Sequence, residues 1–265
     1  MRREEPELSQ RSSPLAWPTL RSVSCGAAVL LFWGVACGDS VRRFESDVDY
    51  ETPLARVIVV ETVVDLPFET AWDELIRRLS ESAYRVEFLE KASRFVRVDL
   101  VRSSEGASAV NQPARYVDCG RTARALRDMS LGAREERFEY AVADSSRHRE
   151  SREVEGGFRV SEVFRRVVLD ASATILLQPE GSRRTRVTVK TRYRVEFEVS
   201  GTAVFQPLDA SQEPRPLPSF GPRLESIHFT TFEPGRDRRE GGLVCRATGD
   251  FEHELIALAN PAAAI

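Results

Sequence analysis

Polar and apolar residues alternate most regularly in the segment from Arg186 to Val199. Every second position there, from Val187 onward, suits a buried face, while the positions between carry Arg, Lys, Thr or Glu. Such alternation predicts a strand in an antiparallel sheet that is covered on one side only. The apolar segment 167–177 precedes it across a turn at 179–182, so the two segments predict a long hairpin.

Two helices are predicted from apolar residues spaced three and four apart. The first spans residues 67–83, with Asp65 as a capping residue and Pro67 in the first turn. The second begins near Asp250 and ends at Asn260-Pro261. The apolar residues that form the stripes of the two helices are Phe68, Trp72, Leu75, Ile76, Leu79 and Ala83, and Phe251, Leu255 and Leu258.

The remaining segments have weaker patterns. We expect strands at 54–64, 86–89, 95–101, 137–143, 227–232 and 242–247. Residues 122–136 are expected to form a short helix, residues 144–157 a charged loop, and the proline-rich residues 206–223 another loop. Together these elements predict an α+β fold with one domain over residues 54–260, in which two helices pack on one face of an antiparallel sheet, as in helix-grip folds. The alternative is two subdomains joined near 122–136.

An apolar run, Gly26–Ala36, ends in small residues directly before Cys37. It is shorter than the about 20 residues of a bilayer span and fits the core of an export signal. The arrangement resembles that of bacterial lipoproteins, which implies that residues 1–36 are a removed signal peptide, Cys37 is acylated and residues 37–53 are a polar tether. Gly38 stands where an inner-membrane retention signal would have Asp, so the resemblance implies an outer-membrane anchor and a domain facing the periplasm.

Two other fates of this leader stay open. Gly34-Val35-Ala36 also suits ordinary signal peptidase, which would release a soluble protein. An uncleaved leader would instead anchor the chain. In each case the residues that follow lie outside the cytoplasm.

Cys119 and Cys245 are the cysteines that remain after the leader and Cys37. In an oxidising compartment such a pair predicts a disulfide. The alternatives are two buried reduced thiols, or a catalytic Cys119 beside Asp118.

Charge and motifs argue against several functions. The formal net charge is −3, and the basic pairs are interspersed with Asp and Glu, whereas nucleic-acid binders concentrate positive charge. No nucleic-acid partner is therefore expected. His253-Glu254 begins like a zinc-peptidase motif, but Ala257 stands where the second His is required. We expect His148 and His253 to be surface residues and predict no metal, no cofactor and no catalytic residue, so the protein is not expected to be an enzyme.

Several short segments resemble the BamC-like outer-membrane lipoproteins. Residues 65–72 (DLPFETAW) leading to 89–93 (LEKAS) are similar to their repeated unit, and residues 116–120 and 244–249 are similar to paired segments of related lipoproteins. Arg94 stands in the first hairpin where these proteins often have Gly. The resemblance implies a helix-grip fold and an accessory role in outer-membrane protein assembly, without cofactor or catalysis.

The sequence thus predicts a non-catalytic envelope lipoprotein that acts as a scaffold or interaction module. Its expected partners are the membrane, through acylated Cys37, and an envelope protein. The alternative is a periplasmic binding protein that holds an apolar or lipid-like ligand in the groove between sheet and helix.

Overall fold

The computed structural model describes residues 42–100, 113–129, 134–237 and 242–260, all of which belong to one unit, Asp39–Ile265. Its strands are β1 (Phe44–Glu51), β2 (Glu61–Val64), β3 (Tyr84–Glu90), β4 (Phe95–Leu100), β5 (Val117–Asp118), β6 (Arg121–Asp128), β7 (Arg134–Ala141), β8 (Ser146–Val154), β9 (Gly157–Glu180), β10 (Arg184–Pro207), β11 (Arg215–Thr230), β12 (Gly235–Arg236) and β13 (Val244–Ala247). Its helices are α1 (Phe68–Ser80), α2 (Pro113–Tyr116) and α3 (Asp250–Ala259).

These strands form three sheets over the described residues, which are 62% strand and 14% helix. The large sheet has the order β11-β10-β9-β4-β3, with β2 also paired to β10 and β8 to β9. The two smaller sheets are β1-β6-β7 and β12-β13-β5. The predicted α+β fold, one antiparallel sheet packed by two helices, is therefore wrong, because the protein is mostly β.

The hairpin of β9 and β10 is confirmed and is longer than predicted. Its register is continuous from Arg184↔Glu180 at the turn to Pro207↔Gly157 at the far end. Alternate residues of both strands are buried on one face, including Ile175, Leu177 and Val189. Both strands continue beyond the predicted segments 167–177 and 186–199. The sequence pattern alone therefore predicts strands that are too short.

The main hydrophobic core lies between this face of the large sheet and helices α1 and α3. Trp72, Leu75 and Leu79 of α1 and Phe251 and Leu255 of α3 are at most 4% exposed. Burying side chains of this size stabilises the folded state by roughly 1.5–3 kcal/mol each. Helix α1 begins one residue later than predicted, after Pro67, and no side chain caps its first turn.

Four segments predicted as helix, loop or tether contain strands. Residues 122–136 contribute to β6 and β7 instead of a helix, and the charged loop 144–157 contains β8. β11 begins inside the proline-rich segment, at Arg215. The tether was expected to reach residue 53, whereas β1 pairs with β6 and Phe44 packs edge-on against Phe158, with ring centroids 5.4 Å apart.

The errors at β6 and β8 have a physical cause. These two strands carry mostly charged or small residues on both faces and obtain their order from ladder hydrogen bonds and cross-strand pairs, which a local hydrophobic pattern does not reveal. For example, Arg127 of β6 forms ion pairs with Asp47 of β1 and Glu135 of β7, at 3.0 and 3.1 Å.

The first predicted hairpin is confirmed as β3 and β4, joined by a turn at residues 91–94. Arg94 adopts a φ of 61°, in the left-handed region that favours glycine. The peptide oxygen of Arg94 accepts a hydrogen bond from the Leu177 amide at 2.9 Å, which fixes the turn against β9.

Within the described helices, none combines the length and the apolar character needed to cross a bilayer.

Candidate binding groove

The two faces of the large sheet differ sharply in chemistry. The odd-numbered residues of β9 from Val163 to Leu177 face the core or its margin, and so do the odd-numbered residues of β10 from Val187 to Phe197. The even-numbered residues, which point to the opposite face because side chains alternate along a strand, are polar over the central part of both strands. This opposite face is called the open face below.

Strand register places the polar residues of the open face in transverse rows. One row runs Arg97, Thr174, Lys190 across β4, β9 and β10. The next runs Arg85, Asp99, Ser172, Arg192, Thr230 from β3 to β11. A third runs Asp170, Arg194, His228 across β9, β10 and β11.

Two adjoining cavities of about 430 and 450 Å³ lie over these rows. They share Ser172 and Arg192 in their walls, so they form one depression, which we call the basic groove. The polar and aromatic side chains of its walls on the open face are Arg85, Arg97, Asp99, Asp170, Ser172, Lys190, Thr174, Arg192, Arg194, His228, Thr230 and Phe232. Each cavity is of the size that holds a small molecule.

The basic groove carries an excess of positive charge. Five of its side chains are cationic and two are acidic. Arg85 lies 3.8 Å from Asp99, and Arg194 is paired with Glu196. By contrast, Arg97, Lys190 and Arg192 form no ion pair or side-chain hydrogen bond within the described part of the chain. Cations gathered without acidic partners in a concave site focus a positive potential, although the protein as a whole is mildly acidic.

The predicted disulfide is confirmed. Cys119, directly after β5, is bonded to Cys245 in β13, with Cα atoms 4.0 Å apart and both residues fully buried. The hydroxyl of Tyr50 donates a hydrogen bond to the Cys119 oxygen (3.1 Å) and accepts one from the Val244 amide (3.0 Å). Cys119 is therefore not available as a free nucleophile in this structure, and Cys37 lies outside the described residues.

His148 is not a surface residue, so that prediction is wrong. It is 3% exposed and lies in β8, which pairs with β9 in the segment predicted as a loop. Its ring stacks on Tyr140 at 5.6 Å between centroids, and neither ring nitrogen has a hydrogen-bond partner in the part of the chain that the structure describes. Burial, with the nearby charges of Arg124 and Arg165, lowers its pKa to about 4. His148 is thus a neutral residue between two sheets, whereas His253 is exposed, as predicted.

A second buried polar group lies under α3. The carboxyl oxygen Oε1 of fully buried Glu252 accepts hydrogen bonds from the hydroxyls of Tyr193 (2.8 Å) and Thr231 (2.6 Å). Burial and the neighbouring Glu252 raise the pKa of Tyr193. The Thr231 hydroxyl also accepts a hydrogen bond from the Thr191 amide at 3.3 Å. Because these contacts join α3 to β10 and to the residue after β11, they position the helix on the sheet.

Trp72, Leu75, Phe251 and Leu255 are buried between the helices and the sheet, and the two cavities of the basic groove lie on the open face. Over residues 42–100, 113–129, 134–237 and 242–260, no cluster of His, Cys, Asp and Glu could hold a metal ion.

Comparison of the chain with protein families, with curated proteins and with solved structures finds no match. Sequence reasoning found Lys190 and Arg192 on a charged strand face but assigned that face to solvent. Arg97, Ser172 and Thr174 were missed, because only the register of β4 on β9 brings them beside the basic residues of β10.

Proposed function

We propose that this protein is a non-catalytic lipoprotein of the outer membrane, anchored through acylated Cys37, which binds an anionic partner in the basic groove on the periplasmic side. The observation that carries the proposal is the set of three cations, Arg97, Lys190 and Arg192, that line a concave surface and have no acidic partner among the described residues. Charged side chains on an ordinary solvated face are usually paired or dispersed, as Arg186 is with Glu61 (2.6 Å) and Glu180 (2.8 Å).

The disulfide supports a location outside the cytoplasm. Disulfides persist in oxidising compartments and are rare in the reducing cytosol. The bond between Cys119 and Cys245 agrees with the export signal inferred before Cys37. The lipid anchor itself stays a proposal that depends on the sequence around Cys37.

The groove favours binding over catalysis. Its described walls offer cations and hydroxyl groups, but no nucleophile in them makes a hydrogen bond to a base, which is the arrangement that activates serine or threonine. The alternative function, an apolar ligand held between sheet and helix, is not favoured, because described core side chains are buried there and both cavities of the basic groove lie on the open face. An accessory role in outer-membrane assembly stays a prediction of the resemblance.

Two measurements test the proposed function. Mass spectrometry of the membrane-extracted protein should find acyl chains on Cys37, and an unmodified Cys37 in a membrane-bound form would contradict the anchor. A photo-reactive phenylalanine at position 232, which is 65% exposed at the groove, should crosslink a reproducible partner in intact envelopes.

The matched control for crosslinking is the same probe at Phe164. This residue is 38% exposed on β9, about 25 Å along the strand from Ser172. A partner captured from both positions alike would show non-specific contact and would contradict binding in the groove.

A further inference from the structure

We infer that the basic groove binds a phosphate monoester group, held between Arg97, Lys190 and Arg192 above the hydroxyls of Thr174 and Ser172. This inference deepens the proposed function, on which it rests, by naming the chemical class of the ligand. It follows from the strand register, from the absence of counter-ions for these cations within the described residues, and from the size of the cavities.

The register determines how far apart the three cations are. Thr174 of β9 pairs with Arg97 of β4 on one side and with Lys190 of β10 on the other. The two cations are therefore separated by one intervening strand. Adjacent strands are about 4.8 Å apart, which separates their Cα atoms by about 10 Å. Arg192 follows Lys190 by two residues, or about 7 Å along the same face. Side chains as long as Arg and Lys can converge over distances of this kind.

The donors match a doubly charged oxyanion with several terminal oxygens. A phosphate monoester carries about −1.5 to −2 charge at pH 7 and three strong acceptor oxygens. The guanidinium groups of Arg97 and Arg192 can each donate two parallel hydrogen bonds to it, and Lys190 supplies a compact positive charge. Thr174 and Ser172 add neutral donors, and both hydroxyls are without hydrogen-bond partners in the described structure. A carboxylate, with one charge and two oxygens, would leave part of this set unpaired.

The rest of the groove bears on the molecule that carries the phosphate. Phe232, 65% exposed, lines the same cavity as the three cations. An exposed aromatic ring beside an anion site suits either a lipid headgroup with its first acyl carbons or the carbon skeleton of a free phosphorylated solute. The shared chemistry is the phosphate monoester, and the experiment separates the two sources.

The test is calorimetric titration of the purified full-length protein at low ionic strength with two water-soluble probes. Glycerol 3-phosphate stands for a free solute, and dihexanoyl phosphatidic acid, kept below its micelle concentration, stands for a lipid headgroup. Each probe has a control that lacks the phosphate monoester. Glycerol is the control for glycerol 3-phosphate, and dihexanoyl phosphatidylcholine is the control for the phosphatidic acid. At least one monoester should bind, its affinity should fall as salt is added, and neither control should bind.

Variants locate the binding in the groove. Lys190→Gln and Arg192→Gln should each weaken binding by roughly tenfold or more, since each removes a charge-assisted contact. Arg186→Gln is the matched control: it lies on the same face of β10 and loses the same charge, but it is engaged by Glu61 and Glu180. Lys190→Arg should retain most of the affinity. Circular dichroism of each variant verifies that it is folded.

The outcomes are distinct. Tighter binding of the phosphatidic acid identifies a lipid headgroup, and binding of glycerol 3-phosphate alone identifies a solute. Absence of binding by both monoesters, or equal loss with Arg186→Gln, overturns the inference. If a partner is nevertheless crosslinked from position 232 and not from 164, the interaction function stands and only the ligand class is wrong.

Discussion

The hydroxyl of Tyr193 donates a hydrogen bond to Glu252 Oε1 at 2.8 Å, and both residues are almost or fully inaccessible to solvent. This contact joins the long strand β10 to the first turn of α3. Together with the bond from Thr231 it satisfies Oε1, whereas Oε2, which is also buried, has no hydrogen-bond partner among the described residues.

Glu252→Ala should therefore destabilise the protein by about 2–5 kcal/mol, because it leaves the hydroxyls of Tyr193 and Thr231 buried without an acceptor. Glu252→Gln keeps an acceptor oxygen and should cost clearly less. Urea unfolding monitored by fluorescence measures both. Equal midpoints for wild type and Glu252→Ala would show that the contact does not hold the helix.

Loss of the disulfide should lower stability without altering the groove. The bond joins residues 126 positions apart, which in the chain-entropy treatment corresponds to at most about 5 kcal/mol. Cys119→Ser and the double variant Cys119→Ser/Cys245→Ser should have similarly lowered melting temperatures under non-reducing conditions. Non-reducing peptide mapping provides the direct measurement, and a free thiol at Cys119 in protein isolated from the envelope would contradict the bond.

Acidic pH should destabilise the contact between β7 and β8 around His148. The pKa of His148 is lowered from 6.5 to about 4 by burial and by Arg124 and Arg165. Between these values the unfolded chain binds more protons than the folded one, so stability falls as the pH decreases from 6.5 towards 4. The contribution is on the order of 2–3 kcal/mol. Two further titratable groups contact His148: the ring of Tyr140 stacks on it, and the Glu150 carboxylate lies 3.9 Å from its Nε2.

His148→Gln removes this proton linkage. The difference in unfolding free energy between wild type and His148→Gln should thus change across this pH window, while His253→Gln, at an exposed site, should follow the wild type. A pH-independent difference for His148→Gln would mean that His148 is not held neutral.

The turn at Arg94 offers a test of backbone strain. A side chain at φ 61° costs about 1 kcal/mol relative to glycine. Arg94→Ala and Arg94→Gly both remove the cation–π contact with Phe68, whose ring centroid lies 5.6 Å from the guanidinium carbon. The Gly variant should therefore be more stable than the Ala variant by about 0.5–1 kcal/mol in urea unfolding. The reverse order would contradict the left-handed conformation.

The sequence predicted those elements whose apolar residues repeat locally. The stripe of Trp72, Leu75 and Leu79 and the alternation of Val187 and Val189 each report burial of one face, and the structure has α1 and β10 at those positions. The basic groove, by contrast, is formed by residues far apart in the sequence, which strand pairing brings together. Lys190 acquires Thr174 and Arg97 as neighbours only through the register of β9 and β4, and the burial of His148 depends on a second sheet whose strands have no clear apolar pattern.

The length of the β9–β10 hairpin has a consequence for how the protein unfolds. Residues 169–177 of β9 belong to the core under the helices, whereas Phe158, Val160 and Val163, also buried, make up a second group farther along the same strand, outside that core. One uninterrupted ladder of hydrogen bonds passes through both groups. Neither group can lose its packing without loosening strands that the other needs, so the hairpin couples them mechanically. Calorimetry should record a single cooperative transition rather than two, and the two ends of the molecule share one melting temperature.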